Sequence, residues 1–183
     1  MLPRSALSIK LLGLNERMQA LSHASVDRYS SGVFTDGGCS PNPGPGGWGY
    51  VVAEDDRVIA EDFGGDPGTT NNRMELTAII HALAYCRDLA VARDENPPAP
   101  ITIYADSKLC VQTYNEWMAG WEKRGWKRSR GAIQNLDLVK QLAALKVECP
   151  FVRLEWVAAH TGIRWNEYAD SLVHRGRAQF GQS

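Results

Sequence analysis

The fold of this chain is constrained above all by four acidic residues that lie in four separate segments: Asp36, Glu75, Asp106 and Asp170. Asp36 closes a short apolar run and is followed by two glycines, so we expect it at the end of a strand. Asp106 ends the next β-branched run and precedes Ser107, a residue type that caps helices. The sequence therefore predicts carboxylates at the ends of two strands.

Glu75 and Asp170 are predicted near the starts of two helices, where exposed backbone N–H groups favour an anion. Taken singly, each acid is more often a solvated surface residue or a helix cap. Together, four clustered carboxylates repel one another by roughly 3 kcal/mol per pair at 5 Å with an effective dielectric of 20. A shared cluster therefore implies bound divalent cations.

Hydrophobic periodicity gives the order of the elements. Apolar runs predict three opening strands, the last two joined as a hairpin across residues 54–57. Helical spacing in the segment 72–89 places Glu75 on a first turn. The remaining predicted elements, in order, are a strand at 101–105, helices at 107–117 and 133–146, a strand at 151–158 and a helix at 165–178. Hairpin strands followed by alternating helices and strands indicate an α/β fold with a mixed sheet.

Composition fits one soluble domain. The chain has 183 residues, 44% hydrophobic and 22% charged, and no apolar stretch of the ~20 residues that a membrane span needs. Its four cysteines show no paired metal-ligand spacing, which favours reduced thiols and a cytoplasmic location. Residues 1–31 carry no clear strand or cap signal. We interpret them as a weakly structured or disordered extension of a domain at 32–183.

Charge is distributed unevenly along the chain. The net charge is only −1, yet residues 108–130 hold six basic side chains against two acidic ones. A local excess of this kind, interleaved with three tryptophans, is typical of a nucleic-acid contact.

Several short motifs occur in a characteristic order, and these carry a resemblance to a known family. They are Thr35-Asp36-Gly37, the Asn-Pro-Gly-Pro-Gly-Gly run at 42–47, the octet Thr-Thr-Asn-Asn-Arg-Met-Glu-Leu at 69–76, Ala105-Asp106-Ser107, the tryptophan-rich block at 117–127, Asn135-Leu136-Asp137, His160 and Ala169-Asp170. This order resembles a type I ribonuclease H of the bacterial kind over about residues 32–180. The resemblance implies a five-stranded mixed sheet flanked by helices, and an enzyme that cuts the RNA strand of RNA/DNA hybrids to leave 5′-phosphate and 3′-hydroxyl ends.

The resemblance also implies individual roles. Asp36 would bridge two Mg²⁺ ions, for which Mn²⁺ is a possible substitute. Asp170 would complete the site that activates water, while Glu75 and Asp106 would hold the ion near the leaving group. His160 would assist proton transfer and product departure, a role common for histidine because a free imidazole changes charge near neutral pH.

Substrate contacts are implied in the same way. The residues expected to face the ribose hydroxyls in the minor groove are Cys39, Asn42, Asn71 and Asn72. Those expected to bind the DNA strand are Thr70 and Asn135, at a backbone phosphate, Lys108, after Asp106-Ser107, and Trp117, Trp121, Lys123, Arg124, Trp126 and Lys127, in a basic protrusion. The chain departs from the family pattern at Glu122, Lys108 and Gly68, which puts the strength of the DNA contact in doubt.

Three other functions fit the sequence less well. A hybrid-binding module that lacks catalysis would not need all four carboxylates. A domain cut from a reverse transcriptase would need a polymerase upstream of Val33, and an integrase or junction resolvase would not need the paired asparagines or the tryptophan block. We expect a monomer that binds an RNA/DNA hybrid and no membrane.

Overall fold

A computed structural model describes residues 28–94 and 96–180 of the chain. Five strands are present in these ranges: β1 (Gly32–Cys39), β2 (Gly44–Glu54), β3 (Arg57–Thr69), β4 (Ile101–Ala105) and β5 (Val152–Trp156). They form one sheet in the order β3-β2-β1-β4-β5. The predicted mixed sheet is therefore confirmed, and so is the hairpin between β2 and β3.

The helices are α1 (Asn71–Ala92), α2 (Lys108–Gln112), a π-helical turn (Thr113–Trp117), α3 (Met118–Lys123), α4 (Leu136–Glu148) and α5 (Arg164–Ala178). The π-helical turn joins α2 to α3 without a break, so one irregular helical segment runs through the first half of the tryptophan-rich block. The helix predicted at 107–117 is therefore longer than expected and contains a local change of hydrogen-bonding pattern.

The two halves of the sheet differ in strand direction. β1 pairs antiparallel with β2 and parallel with β4, and β4 pairs parallel with β5. The parallel pairing of β1 and β4 ends at the partners Thr35 and Ala105. Asp36 and Asp106 each follow one of these residues, so the topology brings the two carboxylates to the same edge of the sheet.

Side chains alternate between two apolar layers along each central strand, as the pleat requires. Val33 and Ile103 point to the layer formed with α1 and α4, whereas Phe34 and Tyr104 point to the layer formed with α5. The sheet is therefore covered by helices on both faces.

Helix α5 lies unusually close to the β2–β3 hairpin because glycines face each other there. A Cβ atom on Gly176 would lie 2.1 Å from the carbonyl oxygen of Gly64, and one on Gly47 would lie 2.1 Å from that of Val173. A similar contact holds α1 against β1, since a Cβ on Gly37 would lie 2.2 Å from the carbonyl carbon of Met74. Backbone contact thus sets the distance from the sheet to the helices that carry Glu75 and Asp170.

The predicted placement of three acidic residues was wrong in detail. β1 continues past Asp36 to Cys39 because its glycine-rich end pairs with the equally glycine-rich start of β2. Glu75 follows the first turn of α1, which contains no acid. Asp170 lies in the middle of α5, so the backbone N–H groups of a helix start do not stabilise it. Ser107 occupies the cap position of α2 but makes no side-chain capping bond.

Candidate active site

Three carboxylates from three different elements meet at one edge of the sheet. Asp36 comes from β1, Glu75 from α1, and Asp106 from the residue after β4. One oxygen from each lies within 4.8 Å of the other two, a spacing that suits a shared metal ion. The close contact of Gly37 with the backbone of α1 is what brings Glu75 to the strand.

The proton affinity of this cluster is strongly perturbed. Burial raises the pKa of Asp36 from 3.8 to about 7, with further contributions from the charges of Asp106 and Asp170, while the Gly37 N–H at 2.7 Å acts in the opposite direction. Burial, Asp36 and Asp106 also raise the pKa of Glu75 well above its ordinary value. Glu75 Oε2 is inaccessible to water and has no hydrogen-bond partner within the described part of the chain.

These features fit a divalent cation. A buried carboxylate oxygen without a partner carries a large desolvation penalty unless a positive charge lies beside it. The donors are all carboxylate oxygens, which Mg²⁺ and similar hard cations prefer. The cluster is therefore chemically suited to hold metal, with Asp36, Glu75 and Asp106 as the residues positioned to do so.

Asp170 lies beside this cluster on α5, where it contacts both Asp36 and a residue outside the cluster. It is close enough to Asp36 to raise the pKa of that carboxyl. On its other side, Asp170 Oδ2 lies 3.6 Å from Nε2 of His174, one turn along the same helix. Nδ1 of His174 in turn lies 3.1 Å from a guanidinium nitrogen of Arg177. His174 was given no role from the sequence, although its spacing of four residues from Asp170 could have indicated the contact.

Asn166 is a second residue of the site to which the sequence analysis assigned no role. It is 2% exposed, and its amide nitrogen donates to Oδ2 of Asp106 across 3.3 Å. Its own Oδ1 is buried without a partner among the described residues. The Asn166 amide therefore orients Asp106 from the first turn of α5.

His160 lies in the loop between β5 and α5, at the same edge of the sheet as the carboxylates. It is exposed and has a positive φ of 53°, and Gly162 two residues later has a φ of 82°. Thr161 closes the turn by donating to the carbonyl of Ala158 across 2.9 Å. The backbone thus directs the imidazole into solvent above the sheet edge.

Three of the four residues expected in the minor groove form one hydrogen-bonded cluster. The Cys39 N–H donates to Oδ1 of Asn71 across 2.7 Å, and the Cys39 thiol donates to Oδ1 of Asn42 across 3.3 Å. The Asn71 N–H also donates to Oδ1 of Asn42. Since both amide oxygens accept within the cluster, both amide NH₂ groups remain available to a ligand.

Asn72 lies apart from that cluster, on the wall of a cavity of about 360 Å³ between α1, the π-helical turn and the start of α4. The cavity brings together several residues expected to bind the DNA strand. It is lined in part by Asn72, Thr113, Trp117, Trp121, Arg128 and Asn135. Thr70 caps α1 nearby by accepting a bond from the Arg73 N–H.

Lys108 is directed elsewhere than the cavity. Its ammonium group lies 4.4 Å from the ring centre of Trp156, whose indole N–H donates to the backbone carbonyl of Asp106 across 2.9 Å. Lys108 is therefore a cation at the carboxylate edge of the sheet, whereas sequence reasoning grouped it with the tryptophan-rich block.

The tryptophan-rich block divides into packed and exposed residues. Trp121 and Trp126 pack against the larger apolar core. The charged side chains of this block are all exposed: Glu122, Lys123, Arg124 and Lys127. Apart from Gly68 and its two chain neighbours, no heavy atom of residues 28–94 and 96–180 lies within 4 Å of the Cβ position of Gly68, and the Gly68 N–H donates to Oδ1 of Asp66.

Comparison with known proteins agrees with this geometry. The sequence model of the RNase H family matches residues 29–178. A ribonuclease H of Polaromonas naphthalenivorans is 42% identical over 146 residues, which cover 79% of this chain and 84% of that protein. A ribonuclease H of Methylorubrum extorquens is 44% identical over 80% of this chain, but the match spans only 60% of that longer protein.

Solved structures share the fold. The crystal structure of LC11 RNase H1 in complex with an RNA/DNA hybrid has a TM-score of 0.60 and 25% identity, covering 80% of this chain and 96% of that one. The N-terminal RNase H domain of a Mycobacterium tuberculosis protein has a TM-score of 0.59 and 30% identity, covering 84% and 98%.

The sheet order, the carboxylates at one edge and these relatives define a nuclease of the ribonuclease H class. The chain belongs to the RNase H family. Within residues 28–94 and 96–180, no helix is both long enough and apolar enough to cross a membrane.

Proposed function

We propose that this protein is an endonuclease that hydrolyses the RNA strand of RNA/DNA hybrids, with Asp36, Glu75, Asp106 and Asp170 as its catalytic carboxylates. The observation that carries the proposal is the half-buried cluster in which three carboxylates lie within 4.8 Å and the inaccessible Oε2 of Glu75 has no partner among the described residues. Such an arrangement is unfavourable on its own and becomes favourable with bound cations.

Two Mg²⁺ ions are the cofactors proposed for this cluster, and Mn²⁺ is a plausible replacement because it accepts the same oxygen ligands. Bound divalent ions supply an activated water and neutralise the charge that develops on the leaving 3′ oxygen. Asp36 is central among the residues that would hold them. The charges of Asp106 and Asp170 raise the pKa of Asp36, and the charge of Asp36 raises the pKa of Glu75.

The remaining residues of the site orient these groups. Asn166 holds the carboxylate of Asp106 through its amide nitrogen. His160, which is exposed on its loop, is the residue proposed to transfer a proton and assist product departure. Hydrolysis would leave a 5′-phosphate and a 3′-hydroxyl.

Substrate selection is proposed to divide between two surfaces. The cluster of Cys39, Asn42 and Asn71 presents amide donors that suit the 2′-hydroxyls of the RNA strand. The cavity lined by Trp117, Trp121 and Asn135 suits the backbone of the DNA strand. Sugar and phosphate contacts carry little base information, so cleavage should not select a sequence.

The test supplies labelled RNA/DNA hybrid, DNA duplex, RNA duplex and single-stranded RNA at equal concentration with Mg²⁺. We expect the hybrid alone to be cut efficiently, within runs of several ribonucleotides. Efficient cutting of DNA duplex or single-stranded RNA would contradict the substrate assignment.

The same assay separates an enzyme from a binding module. Asp36→Asn should abolish cleavage while hybrid binding in Ca²⁺ survives, because the substitution removes a metal ligand and leaves the two nucleic-acid surfaces intact. Normal turnover by this variant would refute the carboxylate mechanism.

A further inference from the structure

We propose that Arg73 is a positioning residue whose side chain orients Asn135, while its backbone N–H orients Thr70, so that both present hydrogen-bond donors to a phosphate of the DNA strand. The inference rests on the proposed function and assigns Arg73 a part in substrate binding without direct contact between its guanidinium and the nucleic acid. It follows from three groups of contacts that all meet at Arg73, in the first turn of α1.

The first contact fixes the amide of Asn135. This residue begins α4 in a left-handed conformation, with φ 52° and ψ 39°, and its side chain makes no capping bond. Nη1 of Arg73 lies 3.5 Å from Oδ1 of Asn135. Because a guanidinium has donors only, the amide oxygen must face Arg73. The amide NH₂ is then the free end, on the wall of the cavity that Asn135 lines.

The second contact holds the guanidinium itself. Its two terminal nitrogens donate to the two carboxylate oxygens of Asp137 across 3.1 and 2.8 Å. Such a two-pronged pair fixes the plane of the guanidinium as well as its distance. Asp137 also neutralises the charge of Arg73, so the guanidinium binds a protein carboxylate and not a phosphate of the nucleic acid.

The third contact fixes the hydroxyl of Thr70. The Arg73 backbone N–H donates to Thr70 Oγ1 across 3.4 Å. A hydroxyl oxygen that accepts this bond keeps its own hydrogen available to donate. Thr70 and Asn135 thus both present donors, and a phosphate diester offers acceptors only.

A simpler reading is that Arg73 merely clamps α1 to α4, and the molecule contains a matched pair that tests it. Arg87 lies farther along α1, and its Nη1 donates to Oε2 of Glu148, at the far end of α4, across 3.1 Å. The side chains of Arg73 and Arg87 are 36% and 39% exposed. Arg87 therefore bridges the same two helices without touching Asn135 or Thr70 in the described structure.

The experiment compares Arg73→Met, Arg87→Met, Asn135→Ala and the Arg73→Met/Asn135→Ala double variant. Each is assayed on the hybrid with Mg²⁺ over a range of salt concentrations. Arg73→Met should raise KM about three- to tenfold with little change in kcat, since a hydrogen bond to a charged acceptor is weakened but the carboxylates are untouched. The double variant should bind no worse than Asn135→Ala, because both changes remove the same contact.

Salt dependence distinguishes positioning from direct contact. A neutral amide releases no counterions, so the slope of log affinity against log salt should stay unchanged in Arg73→Met. Arg87→Met should leave KM unchanged. Arg73→Lys should keep the raised KM, since an ammonium cannot hold Asp137 in two-pronged geometry while also orienting Asn135.

Four results would overturn the proposal. A fall in the slope of about 0.9 would mean that Arg73 itself meets a phosphate. An equal rise of KM in Arg87→Met would mean that helix clamping explains the effect, and additive losses in the double variant would mean that Arg73 acts independently of Asn135. Full rescue by Arg73→Lys would mean that charge alone suffices. Failure of the wild-type protein to cut the hybrid would instead count against the proposed function, so the two failures are distinguishable.

Discussion

At Asp36, burial and two neighbouring carboxylates all favour the protonated form. The folded protein therefore binds a proton at this residue more tightly than the unfolded chain does. Between the ordinary pKa of 3.8 and the folded value of about 7, the folded state holds more protons than the unfolded state. By linkage, the metal-free fold must lose stability as pH rises through this window.

We therefore predict that, with chelator present, Asp36→Asn gains stability relative to the wild type as pH rises from 4.5 to 7.5. Moving one pKa from 3.8 to about 7 corresponds to as much as about 4 kcal/mol, since each tenfold change in proton affinity is about 1.4 kcal/mol. Urea denaturation at several pH values measures the difference. Adding Mg²⁺ should reduce it, because bound cations compensate the charge in the wild type.

Asp137→Asn is the control for this experiment. Arg73 lowers the pKa of Asp137, so the stabilisation from that carboxylate is already complete above its unfolded pKa and is lost only as pH falls. Its difference from the wild type should be flat between pH 4.5 and 7.5. If the wild type held or gained stability relative to Asp36→Asn as pH rises, the carboxylate cluster would not be strained.

At the scale of single elements, α5 depends on glycine where it crosses the β2–β3 hairpin. We predict that Gly176→Ala destabilises the protein by about 1–3 kcal/mol, because its Cβ would lie 2.1 Å from a backbone oxygen that has no room to move. Activity should fall as well, since any shift of α5 carries Asp170 with it. Urea denaturation and hybrid cleavage measure the two effects.

Gly120→Ala is the matched substitution in another helix. Gly120 lies inside α3, and its Cβ would meet only the flexible end of Arg124 at 3.4 Å or more. Alanine there should stabilise the protein by up to about 1 kcal/mol through helix propensity. Replacing glycine with alanine should thus destabilise the protein at Gly176 and stabilise it at Gly120. A stabilising Gly176→Ala would contradict the close contact of α5 with the sheet.

The elements themselves were largely predictable from the sequence, for identifiable reasons. Alternating apolar residues marked the cores of β1, β2 and β3, but not their glycine-rich ends, where the absence of side chains removes the alternation. The π-helical turn left no signal because its apolar spacing resembles that of an α-helix. The start of α5 was predicted to within one residue, so the middle position of Asp170 follows from the predicted helix at 165–178, and describing Asp170 as near the helix start was wrong.

The sequence pattern indicated which carboxylates lie at the sheet edge, but it did not indicate which side chains contact them. Strand order at one sheet edge explains why Asp36 and Asp106 meet. In contrast, the bond from Asn166 to Asp106 and the direction of Lys108 toward Trp156 depend on how α5 and β5 pack, which local patterns do not encode.

For the whole molecule, packing of the domain begins before the expected boundary at Gly32. Tyr29 makes edge contacts with Phe34 and Tyr104 at ring distances of 6.4 and 5.3 Å, and Arg28 pairs with Glu155 across 2.9 Å. The contacts of these two residues lie on the β1–β4–β5 side of the sheet, on the face covered by α5. Met1 to Asp27 lie outside the described residues, and with them most of the extension predicted at residues 1–31.

We predict that a protein starting at Arg28 is more stable than one starting at Ser31, by about 1–2 kcal/mol. The shorter protein loses the aromatic contacts of Tyr29, which contribute roughly 0.5–1.5 kcal/mol each beyond their buried area. Thermal unfolding of the two truncated proteins, each with an added initiator methionine, measures the difference. Both should still cleave the hybrid, because every proposed catalytic residue lies beyond Ser31.

Equal stability of the two truncated proteins would place the domain boundary at Gly32, as the sequence suggested. Loss of hybrid affinity in both, with the fold intact by circular dichroism, would show that the segment before Arg28 takes part in binding.

The unpartnered oxygen of Glu75 has a consequence for the order of events during a catalytic cycle. The carboxylates are held in place by strand pairing and by backbone contacts of glycine, so their mutual repulsion is already present in the folded protein. Protonation relieves part of this repulsion, since the pKa values of Asp36 and Glu75 are both raised, but the negative charge that remains opposes a phosphodiester and favours a cation. The scissile phosphate of the hybrid should therefore enter the site after the metal or together with it. Bound cations would control its approach by offsetting the negative charge of the carboxylates.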